Sequence, residues 1–339
     1  MKVMYFICFL ILLLSACATQ NKHLYQQKYE TSSAPKIQYS WSVSGISSGA
    51  MMSAQLGIIH SKQITGIGIF SGSIYGCSHG DVQTALKTCM AAPEKINANS
   101  SFEYIKQKAA NNMIDPIGNM TKQNIFIVHG EKDQMVKVAA STKNQELYRK
   151  LKTKTSVKTI ANLGHGIATA NKGSACDVTA SPWLNNCSYN TMNELFNILF
   201  PTANNYKSEI PAVSTELIKN NMSVYDLTLL TTKENLAAAT FSESLYIYTP
   251  SACKKESCPR HLALHGCHQS PEFVNKEFIE NAGYIEAAEK FKVVVLFPSV
   301  YKSTKNPYGC WDWWGYTDNK FDTKDGAQIK ILNTIMAWL

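Results

Sequence analysis

The sequence predicts an α/β fold: a mostly parallel sheet with helices packed on both faces. Three observations carry that prediction. Short apolar runs of strand length recur, stretches with helical spacing separate them, and several of the runs end in Gly or Ser. Strands that alternate with helices return by crossovers, and the crossover helices cover the two faces of the sheet. The chain of 339 residues is 45% hydrophobic and 17% charged, ordinary globular composition. No internal repeat or Ser/Gly/Pro-rich linker divides it, so residues 36–339 read as one domain.

The elements follow in order. "KIQYSWSV" (37–44) reads as a strand leading into a Gly-x-Ser-x-Gly turn, and "MMSAQLGIIH" continues with helical spacing. "ITGIGIF" (64–70) and "NIFIVHG" (124–130) are short buried strands. "AASTKNQELYRKL" (139–151) is a helix, "SVKTIANLGHG" (156–166) a strand running into a Gly-rich turn, and "TMNELFNILF" (191–200) a helix. A polar, Asn-rich connection around 202–222 leads to the strands "SLYIYTP" (244–250), "HLALHG" (261–266) and "VVVLFPS" (293–299), with a helical stretch before the last. "GAQIKILNTIMAWL" closes the chain as an amphipathic helix.

The N-terminus points to export. "MKVMYFICFLILLLSAC" carries one lysine and an apolar run too short for a comfortable membrane span, which reads as a signal peptide over 1–16. Leu14-Ser15-Ala16-Cys17 also has the form of a bacterial lipobox, which would make Cys17 the lipidated N-terminus of a tether over 17–35 and place the protein in the cell envelope. The plainer alternative is an ordinary secretory signal. Setting aside Cys8 and Cys17, eight cysteines remain, an even number that suits disulfides in an exported chain. Short loops favour Cys77–Cys89, Cys176–Cys187 and Cys253–Cys258, which leaves Cys267 and Cys310. A zinc site at His265, Cys267 and His268 would lack a second ligand pair at the right spacing. The net charge of +8 is spread over scattered lysines with no aromatic–basic alternation, which argues against nucleic acid as a partner.

Ser47 is the first candidate for chemistry. Gly45 and Gly49 permit the sharp strand-to-helix turn that lifts a serine hydroxyl above a sheet edge. A hydroxyl becomes a useful nucleophile only when a histidine takes its proton and an acid orients that histidine. Asp133, three residues past Gly130, is the expected acid; Glu131 lies closer to the strand end, and N-capping of the next helix is the bland role for Asp133. His165, between two glycines, is the expected base, whereas His129 is expected to satisfy the strand end. The order Ser47, Asp133, His165 is the triad order of α/β-hydrolases. Such enzymes need two backbone N–H donors for the oxyanion, one from the residue after the nucleophile, here Ser48, and one from a loop usually marked His-Gly. No such loop precedes Ser47, but "HLALHGCHQS" supplies His265-Gly266-Cys267 long after His165. The economical account is circular permutation, with the front half of the fold moved to the back.

These residues, with Cys77…Cys89-Met90, Cys176…Asn186-Cys187 and Asn306-Pro307-Tyr308-Gly309-Cys310-Trp311-Asp312-Trp313-Trp314-Gly315-Tyr316, form an ordered set. It resembles the extracellular poly(3-hydroxybutyrate) depolymerases in their single-domain, circularly permuted form, over about residues 36 to 339. The resemblance implies Ser47 as nucleophile, His165 as base, Asp133 as orienter, and the N–H groups of Ser48 and Cys267 as the oxyanion hole, with the Cys267 sulfur tied to Cys310. It implies no metal or organic cofactor, an aliphatic polyester or oligomer as substrate, and a monomer. In "GCWDWWGY" the tryptophans are either packing residues or an apolar shelf for polyester, with Trp311 and Trp314 expected nearest the substrate. The lipid anchor and the lack of a following polymer-adsorbing domain depart from many secreted depolymerases and point toward soluble oligomers. An acetyl or feruloyl carbohydrate esterase on the same scaffold, or a non-catalytic envelope lipoprotein, are the rival readings.

Overall fold

In the computed structural model, residues 41–201 and 212–339 are described. The expected signal segment 1–16, the lipidation site Cys17 and the tether through residue 35 lie outside them. So do residues 37–40 of the first expected strand and 202–211 of the polar connection.

Eleven strands lie among the described residues. The first four are β1 (Trp41–Ile46), β2 (Ile64–Phe70), β3 (Asn124–Gly130) and β4 (Lys154–Ile160). Three short ones follow, β5 (Ile167–Thr169), β6 (Ser174–Ala175) and β7 (Leu184–Asn186). The last four are β8 (Met222–Asp226), β9 (Ser244–Tyr248), β10 (Arg260–Leu264) and β11 (Val294–Phe297). The main sheet has the order β4-β3-β2-β1-β10-β11-β9-β8, and β5-β7-β6 form a separate small sheet. From β4 across to β11 every pairing is parallel; β9 and β8 complete the edge in antiparallel fashion.

Side chains alternate across a strand, and both faces of this sheet are buried. On β3, Ile125 and Ile127 join one core while Phe126 and Val128 join the other. The first core packs under α1 (Ser48–Ile59), α2 (Ala98–Ala110), α3 (Ala139–Lys150) and α6 (Ala327–Trp338). The second packs under α4 (Thr191–Leu199) and α5 (Tyr284–Phe291). Among the described residues no helix is long and apolar enough to cross a membrane.

The strand order is that of a permuted chain. β1, first in sequence, sits mid-sheet between β2 and the late strand β10. The Trp41 N–H donates to the Gln63 carbonyl at 2.9 Å, and Gln63 Nε2 donates to Asn333 Oδ1 of α6 at 3.4 Å. The last helix therefore lies beside the start of the first strand, as the sequence argument requires. All four expected disulfides are present: Cys77–Cys89, Cys176–Cys187, Cys253–Cys258 and Cys267–Cys310.

Three elements escaped the sequence pattern. α2 buries only Ala98, Ser101 and Ile105, so its apolar period is faint; its start is fixed by Asn97, whose side chain accepts from the Asn99 N–H. β8 is mostly exposed at the sheet edge, and the small sheet is built from two- and three-residue strands. Edge exposure removes the hydrophobic alternation that marks a strand, and two- or three-residue strands are too short to show it.

Three of the buried histidines, His60, His261 and His265, are held well below their ordinary value. His261 bonds to the hydroxyls of Ser42 and Ser44 at 2.7 and 2.8 Å, and Ser44 Oγ meets the Tyr284 hydroxyl at 2.7 Å. Burial pushes His261 down to about 3, and His60 and His265 to about 4. Each group sits below its ordinary value near 6.5, so its contribution to stability is complete above that pH and is lost as pH falls through the depressed value. Asp312 and Glu286, pushed up by burial, oppose the trend as they protonate in the folded state. The melting temperature should fall by roughly 5–10 °C between pH 7 and pH 4, with protons taken up on unfolding. A flat melting temperature over that range would refute the neutral, buried histidines.

Candidate active site

The turn between β1 and α1 holds Ser47 at φ 56° and ψ −120°, a conformation that a side-chain-bearing residue adopts only under constraint. The constraint is visible. The Ser47 N–H donates to Phe70 O at 2.9 Å, and its carbonyl accepts from Ala50 and Met51 at 3.0 and 3.1 Å. A Cβ at Gly45 would lie 2.5 Å from the Leu264 carbonyl oxygen, and one at Gly49 would lie 2.3 Å from that of His265. Both glycines are thus required because the end of β10 runs directly against the turn. The same approach brings segment 264–267 beside Ser47.

Asp133 follows β3 on a tight loop and is buried, whereas Glu131 is exposed. Asp133 Oδ1 accepts the N–H groups of Met135 and Val136, both at 2.9 Å. Its other oxygen accepts from His165 Nδ1 at 2.8 Å. His129 Nε2 lies 3.5 Å from that oxygen and donates to the Val136 carbonyl at 2.7 Å, so it closes the loop around the acid as well as ending the strand. Burial pushes the Asp133 carboxyl up, but the hydrogen bonds and charges of His129 and His165 outweigh it and hold the group well below the carboxylate range. The carboxylate is ionised at any working pH.

His165 is held from below by the small sheet. Its N–H donates to Thr179 Oγ1 at 2.9 Å, the Gly164 N–H donates to Cys176 O, and the Cys176–Cys187 disulfide ties that segment to the residue after β7. Trp183 packs edge-on to the imidazole at 6.3 Å. With Nδ1 committed to Asp133, Nε2 is the nitrogen available to a substrate-side proton.

Peptide geometry orients the two N–H groups expected to form an oxyanion hole. Ser48 opens α1, so its N–H is one of the first-turn donors without an intrahelical acceptor. His265 is fully buried and neutral; its Nε2 accepts the Val300 N–H at 3.2 Å, which leaves Nδ1–H to donate to Gly266 O at 2.7 Å. In a planar trans peptide the carbonyl of Gly266 and the N–H of Cys267 point in opposite directions. Drawing the carbonyl toward His265 therefore turns the Cys267 N–H the other way. The Cys267–Cys310 disulfide and the Trp311 N–H bond to Ser48 Oγ, 3.2 Å, clamp this loop to the Ser47 turn.

Ser47, Ser48, His165 and Cys267 line one cavity of about 460 Å³. Its remaining walls are mainly apolar, among them Met51, Leu86, Met90, Trp313 and Trp314. Of the two tryptophans expected nearest a substrate, Trp314 lines the cavity. Trp311 does not: it is fully buried and packed between Phe241 and His265. Its place is taken by Trp313. The reversal comes from Asp312, whose buried carboxylate accepts N–H groups of Trp314, Gly315, Tyr316 and Thr317 and curls the chain so that Trp313 and Trp314 line the cavity. Val82, Leu86, Met135 and Tyr308 are 43–56% exposed around the mouth, an apolar rim no local pattern announced.

No protein-family model matches the chain. It is 27% identical over 301 residues to a poly(3-hydroxybutyrate) depolymerase of Delftia acidovorans, a match covering 87% of this chain and 58% of that protein. The chain thus spans little more than half the length of that relative. It is 25% identical over 316 residues to a polyhydroxybutyrate depolymerase of Talaromyces funiculosus, covering 86% of each. Two solved structures share the fold. A PHB depolymerase complexed with an R3HB trimer superposes with a TM-score of 0.76 at 24% identity, covering 87% of this chain and 93% of that one. The PHB depolymerase from Penicillium funiculosum gives 0.75 at 24% identity, covering 88% and 95%. On sequence and fold together, the chain is similar to the poly(3-hydroxybutyrate) depolymerases.

Proposed function

We propose that this protein is an exported, lipid-anchored serine esterase that hydrolyses 3-hydroxybutyrate esters, acting on oligomers and on short-chain polyester through an acyl-enzyme. The observation that carries the reading is the 2.8 Å bond to a buried, ionised Asp133 from His165, which lines the same cavity as the strained Ser47. Ser47 Oγ attacks the ester carbonyl while His165 Nε2 accepts its proton. Negative charge develops on the carbonyl oxygen between the N–H groups of Ser48 and Cys267. His165 then protonates the departing alcohol, and water activated by the same imidazole cleaves the acyl-enzyme. An apolar cavity suits a substrate of methyl groups and ester oxygens, and the apolar rim suits contact with a polyester surface. Anchoring through Cys17 rests on the lipobox-like Leu14-Ser15-Ala16-Cys17.

The test is a purified-protein assay over (R)-3-hydroxybutyrate oligomers, short-acyl esters, acetylated xylan and feruloyl esters, with fluorophosphonate labelling mapped by mass spectrometry. Turnover concentrated on the hydroxybutyrate oligomers, with the label on Ser47, is expected. Preference for acetylated xylan or feruloyl esters would assign a carbohydrate esterase. Absence of both turnover and label would leave a binding lipoprotein.

A further inference from the structure

Lys305 is the one lysine among the residues lining the cavity, and no carboxylate among the described residues lines it. It has no ion pair among the described residues, whereas the other four lysines from 302 to 330 are each paired: Lys302 with Glu272, Lys320 and Lys330 with Asp325, and Lys324 with Asp115. Its backbone is firmly placed. Ser303 and Asn306 exchange backbone hydrogen bonds at 2.9 and 3.0 Å, so Lys305 sits at the tip of a closed turn. The buried Asn306 side chain bonds to both the N–H and the carbonyl of Cys310, and the His268 N–H donates to Tyr308 O at 2.7 Å. The Cys267–Cys310 disulfide joins this loop to the oxyanion segment. Lys305 is exposed at the edge of this otherwise apolar lining, and an unpaired charge beside an apolar cleft attracts the opposite charge.

A hydroxyalkanoate chain is uncharged along its length and carries a single carboxylate at one terminus. We propose that Lys305 receives that terminal carboxylate, so that the protein selects acid-terminated hydroxyalkanoate oligomers over chains presenting no free acid. This rests on the esterase reading above and goes beyond it by naming which end of the substrate is recognised. The loop that carries the charge is joined to segment 264–267 by the Cys267–Cys310 disulfide, so binding of the acid end is tied to the position of the scissile ester.

The experiment compares the (R)-3-hydroxybutyrate trimer as free acid and as methyl ester, in the wild-type protein, Lys305→Met and Lys305→Arg. The readout is the ratio of kcat/KM for acid over ester. The wild type should favour the acid by roughly 3- to 20-fold, the span between an exposed ion pair and a charge-assisted bond. The ratio should shrink in about 0.5 M salt, as expected for a partly exposed pair. Lys305→Met should bring it to about one, mainly through KM for the acid, and Lys305→Arg should retain it. Equal ratios in wild type and Lys305→Met, or a wild type indifferent to the methyl group, would overturn the proposal while leaving the esterase reading intact. If the wild type cleaves neither compound, the esterase reading itself fails and this one falls with it.

Discussion

Ser47→Ala should lower kcat for ester hydrolysis by about 10⁶-fold, the loss seen when the nucleophile of an assembled triad is removed. The fold should survive, because alanine keeps the Cβ that the strained turn already accommodates at φ 56° and removes only the hydroxyl oxygen. The backbone bonds that hold the turn, from Ser47 N to Phe70 O and from Ala50 and Met51 to Ser47 O, are untouched. The neighbouring Ser48 cannot take over: its Oγ accepts the Trp311 N–H at 3.2 Å and belongs to the clamp between the turn and the tryptophan segment. Unaltered melting with loss of turnover, measured on the preferred hydroxybutyrate oligomer, is the expected pair of results. A loss of less than about 100-fold would place the nucleophile elsewhere.

Much of this site could be read before any coordinates because its parts follow one another in a fixed grammar. A strand, a glycine-flanked serine and a helix mark the candidate nucleophile. An acid just past a later strand and a histidine between glycines then arrive in hydrolase order. The displaced His265-Gly266-Cys267 revealed the permutation, since a loop that ordinarily precedes the serine appeared after the histidine. The disulfides were legible from loop length. What stayed hidden depends on contacts between residues distant in sequence or on exact chain direction. Nothing in "HGEKDQMV" tells that His129 reaches back to Val136, or in "GCWDWWGY" that Asp312 gathers the following N–H groups and so exchanges Trp311 for Trp313 at the cavity wall. The role of His265 was equally silent, because a lone buried histidine gains meaning only from the carbonyl it turns. The polar helix α2 and the edge strand β8 were missed for the opposite reason: they bury too little to leave a pattern.

Asp133→Asn should lower kcat by about 10⁴-fold with the fold retained, and the hydrogen bonds on the two oxygens dictate why. Oδ1 accepts two backbone N–H groups, from Met135 and Val136, so the carbonyl oxygen of the amide must occupy that position. The NH₂ group is thereby forced into the place of Oδ2, facing His165 Nδ1 at hydrogen-bonding distance. A donor there requires Nδ1 to be the acceptor, which puts the proton of the neutral imidazole on Nε2, the nitrogen that must receive the Ser47 proton. The ring would be held in place in the wrong tautomer. Because the Asp133 carboxyl is held well below the carboxylate range, the acidic limb of the wild-type activity should not report its titration, and no pH within the working range should reproduce the defect of the substitution. The measurement is kcat against pH for both proteins, with thermal melting as the control for folding. A variant within tenfold of wild type would show that His165 is oriented by something other than this carboxylate, and would reopen His129 and Glu131 as partners.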